Sequence, residues 1–484
     1  MSKDLNATDA KHEKYFHAFK PNEIYWGIGI ENENYLELPT ASAVSKDFLL
    51  NNHKPERYSV DYYKSYLDGT FNKSLQLIPD PLQKGGSSGD ALVLPILVNA
   101  HYLTKCDENG EHRTIYSDIP KQNPKFSGQT NFDAMKAADP WFKTEENQSY
   151  CFDGDTIEFM TLNFYKATTD EVISELIHTK TLFLKKLLAT RVFKDQSQQP
   201  KWPDKNHGFA RMLTNKNNLA IFNNGTYHFN FTMPTLLDSR GEISDFADFE
   251  SRHRKAIRLI QFMEPFFIAK YGSADPLTTS KDSLRYPMGS QRCAASRYIS
   301  IGTFDTSDTS PLVRGKQLQI DTPNYPTSHW YTQLYQQINY KKSDKIGFDI
   351  NFNKFKNHGI EIRFFDWFPE KYLPEVLRTI VHLLDLSVTL SSTPYNPTDI
   401  ERWHNITCKG IHIGAKASLT RDDVLFIQQY LDIKTIRSLE IGQIYDEIAK
   451  SLEKRFGANG PISKYMLQQP TFLAKLFSAF SFGC

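Results

Sequence analysis

The pattern of apolar and polar residues predicts a set of strands separated by longer helices. Apolar residues that alternate with polar ones, or that form short runs bounded by turn residues, are typical of strands. Such segments occupy residues 23–38, 90–103, 155–164, 225–235, 345–355 and 358–368. Only a short turn at Lys356 and Asn357 separates the last two, so we predict that they pair as an antiparallel hairpin.

Helical periodicity marks the segments between and after these strands. The predicted helices cover 168–193, 243–270 and 370–390, and from about residue 393 onward the pattern is helical throughout. Thr168 or Thr169 can cap the first helix, and Gly272 can end the second. Residues 195–208 have the composition of a loop. This order predicts an α+β fold, in which long helices pack on a mainly antiparallel sheet.

The first strand carries two carboxylates on one face. Its sequence, GIGIENENYLELP, places Glu31 and Glu33 two residues apart, and side chains two apart on a strand point the same way. Two like charges repel each other, and burying a carboxylate is costly unless another group compensates its charge. Asn32 and Asn34 point to the opposite face, where we expect a structural role.

Three further strands combine charged or polar groups with apolar neighbours in the same way. The residues are Glu158 in DTIEFMT, His228 and Asn230 in YHFNFTMP, and Glu361 and Arg363 in GIEIRFFD. In any one of these strands the alternation of polar and apolar residues is ordinary, because an antiparallel sheet often has one exposed face. Together, several Glu, one His and one Arg between Ile and Phe residues favour a shared polar site.

A cluster of this kind suits divalent cations and phosphates. Mg²⁺ prefers oxygen ligands and commonly bridges carboxylates to substrate phosphates, and several Glu residues suggest more than one ion. Bound metal would offset the repulsion between the carboxylates, and an adjacent Arg could hold phosphate oxygens. The sequence therefore indicates phosphoryl transfer.

Composition and charge exclude several other classes of function. The 484 residues include 57 basic and 56 acidic side chains, so the net charge of +1 gives no electrostatic footprint for nucleic acid. We find no apolar run long enough for a membrane span and no signal-peptide pattern in the polar first twenty residues. Five scattered cysteines without a CxxC pattern favour reduced thiols and a cytoplasmic location. Cys293, in SQRCAASR, is the one cysteine that we consider as a candidate nucleophile.

Six segments follow one another in an order that is similar to a known family. They are GIGIENEN, YCFDGDTIEFMT, GTYHFNFTMP, PFFIAKYGSADP, AASRYISIGTFD and HGIEIRFFDWFP. They resemble motifs of the glutamate–cysteine ligase family, within the glutamine synthetase-like carboxylate–amine ligase superfamily. The closest match is GTYHFNFTMP, which resembles the family's G-x-H-Y-N-F-S-L-P. The resemblance covers roughly residues 23–390.

The resemblance implies a role for individual residues. The implied metal ligands are Glu31, Glu33, Glu158, His228 and Glu361, with Asp155 or Asp153 in addition. Arg363 would be the catalytic residue that meets the phosphates, Asn230 would lie beside ATP, and Arg297 would hold a substrate carboxylate. Thr303 stands where the family has a Tyr that helps to hold the acceptor amino acid, so cysteine as the acceptor is left open.

The resemblance also implies an architecture. The expected fold is a glutamine synthetase-like catalytic domain, in which a curved, mainly antiparallel sheet forms a funnel with helices on its outer face. We expect this domain to cover residues 1–392, and residues 393–484 to form a helical region packed on it.

The implied activity is that of a ligase that uses ATP and two or three Mg²⁺ ions, with Mn²⁺ as an alternative. An amide would form through an acyl phosphate, and glutamate with cysteine is the default substrate pair. Another amine, or a peptide or protein carboxylate, remains an alternative. So do a kinase of the same superfamily and a non-catalytic relative that binds nucleotide or a partner. The expected partners are small amino acids or amines, and neither nucleic acid nor a membrane.

Overall fold

A computed structural model supplies the fold of the ten segments it describes. These are residues 22–35, 131–143, 149–153, 156–190, 199–203, 206–211, 220–274, 288–293, 349–353 and 357–467. The predicted strand at 90–103 lies outside the described residues.

A six-stranded antiparallel sheet forms the centre of the described structure. The strands are β1 (Ile24–Asn34), β2 (Tyr150–Asp153), β3 (Thr156–Met160), β4 (His207–Arg211), β5 (Ala220–Asn224), β6 (Thr226–Leu236), β7 (Ile350–Phe352) and β8 (Ile360–Asp366). The sheet has the order β2-β3-β1-β6-β8-β7, and β4 and β5 form a separate hairpin. Every pairing in both sheets is antiparallel, and the predicted hairpin between the last two strands is confirmed.

Except for the short helix Asn131–Ala138, which was not predicted, the helices agree closely with the helical periodicity of the sequence. They are α1 (Asn131–Ala138), α2 (Thr169–Ala189), α3 (Phe246–Tyr271), α4 (Leu373–Thr389), α5 (Glu401–His412), α6 (Arg421–Leu431), α7 (Ile441–Phe456) and α8 (Ser463–Met466). Thr168 caps α2 reciprocally with Glu171, as a capping box does. Gly272 ends α3. The α+β class with a mainly antiparallel sheet is therefore confirmed.

One local prediction was wrong. Residues 195–208 were expected to be a loop throughout, but His207 and Gly208 begin β4 and pair with Asn224 and Asn223. The glycine, asparagine and lysine residues of this region conceal the hairpin, because its pairing is decided by a partner strand farther along the chain.

The sheet has one apolar face, on which the helices pack. Tyr227, Phe229, Phe231 and Met233 alternate along β6 and are fully buried. The ring of Phe365 on β8 lies 5.0 Å from that of Phe229 and 5.2 Å from that of Phe267 on α3, measured between centroids. The residues between the aromatic positions of β6, such as His228 and Asn230, consequently point to the other face.

The helices after residue 393 pack on α3. The ring of Phe262 stacks on that of Tyr430 with a centroid distance of 3.7 Å, and the Trp403 indole donates to the Phe262 carbonyl at 3.3 Å. Farther along α3, Phe267 lies 5.5 Å from Tyr445 of α7. None of the helices in the described segments combines the length and apolar character that crossing a membrane requires.

A buried lysine donates hydrogen bonds to the back of β1, the face that carries Asn32 and Asn34. Lys180 of α2 donates to the side-chain oxygens of Asn32 at 2.8 Å and Asn34 at 3.1 Å, and it pairs with Glu370 at 2.5 Å. Asn32 in turn donates to the Thr226 carbonyl of β6 at 3.0 Å. Asn32 and Asn34 thus have the structural role that the alternation of β1 predicted.

Replacing Lys180 by Met should lower the free energy of unfolding by about 1–3 kcal/mol. The aliphatic stem is kept, but the buried oxygens of Asn32 and Asn34 lose a charged donor. Urea unfolding measures the difference. Lys185→Met on the exposed side of the same helix is the matched control and should change stability by less than about 0.5 kcal/mol. Equal stability of Lys180→Met and the wild type would contradict this account.

Candidate functional site

A row of polar side chains crosses the sheet on the face opposite the aromatic residues of β6. The strand register places Glu33 opposite Glu158, and Glu31 opposite His228. On the next pair of strands, Asn230 lies opposite Glu361. The six-stranded sheet therefore brings together residues that the sequence spreads over more than three hundred positions, because neighbouring strands present their alternate residues on the same face.

Three of these residues converge on a point that could hold a metal ion. One ligand atom each from Glu31, His228 and Glu361 lies within 4.8 Å of the other two. His228 Nδ1 is 3.2 Å from Glu31 Oε2. Asn230 donates its amide to the other oxygen of Glu31 at 3.3 Å and so orients that carboxylate.

An irregularity in the pairing of β8 places Arg363 beside this point. Between the pairs Tyr227–Phe365 and Phe229–Ile362 the register shifts, so that two residues of β8, Arg363 and Phe364, lie opposite the single residue His228. Bulges of this kind redirect side chains and are frequent near functional sites. Arg363 donates through Nη1 to Glu361 Oε1 at 3.0 Å, while its buried Nε has no hydrogen-bond partner in the described segments.

The other two predicted metal ligands lie on the far side of His228. Glu33 Oε1 is 3.8 Å from His228 Nε2. Glu158 is one strand farther away and accepts a hydrogen bond from the Cys151 thiol at 3.3 Å. Neither belongs to the converging group of Glu31, His228 and Glu361. The five predicted ligands thus share one face but divide into a triad and a flanking pair.

Burial and neighbouring charges shift the pKa values of the two basic groups in opposite directions. Burial lowers the pKa of His228 to about 4, and the charge of Arg363 adds to this effect although Glu31 opposes it. The imidazole is consequently neutral at pH 7, with Nδ1 facing Glu31 and Nε2 facing the Thr226 hydroxyl at 3.3 Å. Burial alone would lower the pKa of Arg363, but the carboxylates of Glu361, Glu33 and Glu31 outweigh it and raise the pKa above its usual value.

The donor set fits a divalent cation. Among the described residues, the row contains the four carboxylates of Glu31, Glu33, Glu158 and Glu361, the guanidinium of Arg363 and a neutral imidazole. Carboxylate oxygens suit Mg²⁺, and a neutral imidazole is also a good ligand for Mn²⁺. A bound cation would compensate the negative charge of these carboxylates in a largely buried place.

Several predicted residues cannot be placed. Asp155, Arg297 and Thr303 lie outside the described residues, and of Asp153 only the backbone at the end of β2 is described. Their predicted roles in binding metal and substrate remain predictions.

Sequence reasoning missed two residues that contact the row. Asn351 of β7 donates its amide to Glu361 Oε2 at 2.6 Å, and Cys151 of β2 contacts Glu158. Asn351 stands between Ile350 and Phe352, which is the same signal that identified the other strands. For Cys151 no signal was available, because a thiol next to a carboxylate is visible only once β2 and β3 are paired.

An aromatic ring closes one end of this face. A side chain at Gly27 or Gly29 would point the same way as Glu31, and at both positions it would meet the ring of Phe164. The Phe164 carbonyl also accepts from the Ile28 amide at 3.1 Å, so the segment after β3 is fixed against β1. Gly27 is thus required for the close approach of Phe164, whereas a Cβ at Gly29 would lie 3.0 Å from the ring and need only a small shift.

Cys293 is an internal side chain in the folded protein. Its thiol donates to the Phe364 carbonyl at 3.4 Å, and the side chain is fully buried. Within the described segments, Cys151, Cys293 and Cys408 are not in disulfides.

Comparison with known proteins finds a viral relative. Over 470 residues the sequence is 38% identical to an uncharacterized protein of Acanthamoeba polyphaga mimivirus, and the match covers 96% of this chain and 80% of the viral protein. No model of a known protein family matches the sequence.

The metal-free protein should lose stability on acidification through His228. A histidine whose pKa falls from 6.5 in the unfolded chain to about 4 in the folded one stabilises the fold fully above pH 6.5, and this contribution is lost as the pH falls toward 4. Between pH 7.5 and pH 5 the loss should be about 2 kcal/mol. Urea unfolding in EDTA at both pH values measures it.

His228→Gln is the control, because it removes the titrating group and retains a polar side chain. The variant should lose about 2 kcal/mol less than the wild type over the same pH interval. An identical pH dependence in the two proteins would show that the folded-state pKa of His228 is not depressed.

Proposed function

The chain belongs to one family with the mimivirus protein, and we propose that it is an ATP- and Mg²⁺-dependent carboxylate–amine ligase. The default reaction is γ-glutamyl ligation of glutamate to cysteine or another amine. In the proposed reaction a carboxylate oxygen attacks the γ-phosphorus of ATP and ADP leaves. The amine then attacks the acyl phosphate, loses a proton and displaces inorganic phosphate, which leaves an amide.

The observation that carries the proposal is the convergence of Glu31, His228 and Glu361 beside Arg363. Two carboxylates and a neutral imidazole within 4.8 Å of one another are a suitable set of ligands for Mg²⁺ or Mn²⁺. Arg363 stays protonated and is largely buried, and among the described residues its Nε has no partner, so an anion with several oxygens suits this donor. Cation ligands next to an anion-binding guanidinium are the usual requirements of phosphoryl transfer.

When bound, the metal would neutralise phosphate charge and polarise the transferred group. The protein's own residues would orient the metal ligands and compensate negative charge. Asn230 holds the Glu31 carboxylate in place. Arg363 would donate to phosphate oxygens and stabilise the negative charge that develops during transfer. Glu33 and Glu158 flank the triad on the same face, and in this proposal their carboxylates contribute to a further ion site.

The proposed fold of the catalytic region is that of the glutamine synthetase-like superfamily. It is supported by the antiparallel sheet with helices on one face and the acidic row on the other. In this proposal the acidic face lines the inside of a funnel. The same arrangement would suit a peptide or protein carboxylate as the substrate, so the substrate class is left to the experiment.

Release of ADP tests the proposal. The purified chain is incubated with ATP, Mg²⁺ and pools of amino acids, amines and peptides, and ADP is measured with a coupled assay. We expect release that requires both a carboxylate and an amine, and a loss of about 10²–10³-fold in Arg363→Ala, which is typical for removal of a group that stabilises transition-state charge. Glu31→Gln should lose activity by a comparable factor, because the metal triad loses one anionic ligand.

The products and the variants decide between the alternatives. Phosphate that stays on the acceptor, without an amide, would favour a kinase. Release in the presence of peptides alone would favour a peptide or protein carboxylate. If no pool gives more ADP than Glu31→Gln and Arg363→Ala, the proposal of an ATP-dependent ligase for these substrates is wrong. Lys185→Met, an exposed substitution outside the acidic row, is the control for effects of purification on activity and should release ADP like the wild type.

A further inference from the structure

The carboxylate of Glu361 is held from both sides. Arg363 donates to its Oε1 at 3.0 Å, and Asn351 donates to its Oε2 at 2.6 Å. The Glu361 side chain is only 1% exposed, so these bonds act in a region that is nearly free of water. Each carboxylate oxygen can accept about two hydrogen bonds or metal contacts, so a bond to Arg363 or Asn351 is compatible with a metal contact on the same carboxylate.

Asn351 reaches Glu361 because of the edge strand that carries it. The register of β7 and β8 places the two residues directly opposite each other. Ile350, the preceding residue of β7, is fully buried, and alternation along the strand points it away from Asn351. The amide of Arg363 also donates to the Asp349 carbonyl at 2.6 Å, which ties the start of β7 to the bulged part of β8.

We propose that Asn351 is a positioning residue of the metal centre, which fixes the rotation of the Glu361 carboxylate so that it faces Glu31 and His228. This inference rests on the proposed function, since it assumes that the triad binds a divalent cation. The terminal torsion of a Glu side chain has a broad and shallow energy profile, so a carboxylate held by Arg363 alone can turn. A second donor on the other oxygen removes that freedom.

The chemistry of an amide suits this role better than a second cation would. An Asn side chain donates a hydrogen bond without adding positive charge, and so it orients Glu361 without competing electrostatically with a metal. Partners that orient a metal ligand commonly contribute about 10–100-fold to metal affinity.

Titration with Mn²⁺ alone tests the inference. Isothermal calorimetry on the full chain, with metal removed beforehand and no nucleotide present, gives the dissociation constant. We expect Asn351→Ala to raise it by about 10–100-fold. Asn351→Leu, which fills the space but cannot donate, should raise it similarly and guards against a failure of the first variant to fold. Urea unfolding in EDTA records the stability of each variant.

Ile350→Val is the matched control, because it weakens the same strand on its other face. It should cost about 1 kcal/mol of stability and leave the dissociation constant within about twofold of the wild-type value. Equal weakening of Mn²⁺ binding in Asn351→Ala and Ile350→Val would overturn the inference, because Asn351 would then act only through the stability of β7.

Glu361→Gln separates failure of this inference from failure of the proposed function. If Glu361→Gln weakens Mn²⁺ binding but both Asn351 variants bind like the wild type, the positioning role is wrong and the metal centre stands. If the wild type does not bind Mn²⁺, or Glu361→Gln binds as tightly as the wild type, the metal centre itself is wrong and the role of Asn351 falls with it.

Discussion

The register between β1 and β6 is the constraint on which the rest of the structure depends. It sets Glu31 opposite His228 on one face and leaves Phe229 and Phe231 on the other, against the helices. Because side chains alternate along a strand, a slip of one residue would bury Glu31 among aromatic rings and expose the core. The free energy that maintains the hydrophobic core therefore also fixes the position of the acidic row.

Charged groups are arranged differently on the two faces of β1. On the back, Lys180 is buried and is satisfied by the oxygens of Asn32 and Asn34 and by Glu370. On the front, the carboxylates of Glu361, Glu33 and Glu31 act on Arg363 and raise its pKa. The buried hydrogen bonds on the back of β1 fix the strand, and a site carried by a rigid element is held more precisely than one on a loop.

The periodicity of the sequence was sufficient for the long elements and insufficient for the short ones. Helices such as α2 and strands such as β6 carry many repeats of one period, so local pattern and tertiary structure agree. The hairpin that begins at His207 has weak alternation, and only its partner strand reveals it. Cys151 is a similar case, because its contact with Glu158 depends on the pairing of β2 with β3.

The sequence by itself determined which residues share a face, since alternation assigns Glu31, Glu33, His228 and Glu361 to one side of their strands without any knowledge of the partners. Only the tertiary structure decided how these side chains are grouped. Strand order and the irregular pairing at Arg363 are long-range properties that depend on contacts between distant segments. They bring together Glu31, His228 and Glu361, and they set Glu158 apart. They also place Asn351 on the edge strand, in contact with Glu361.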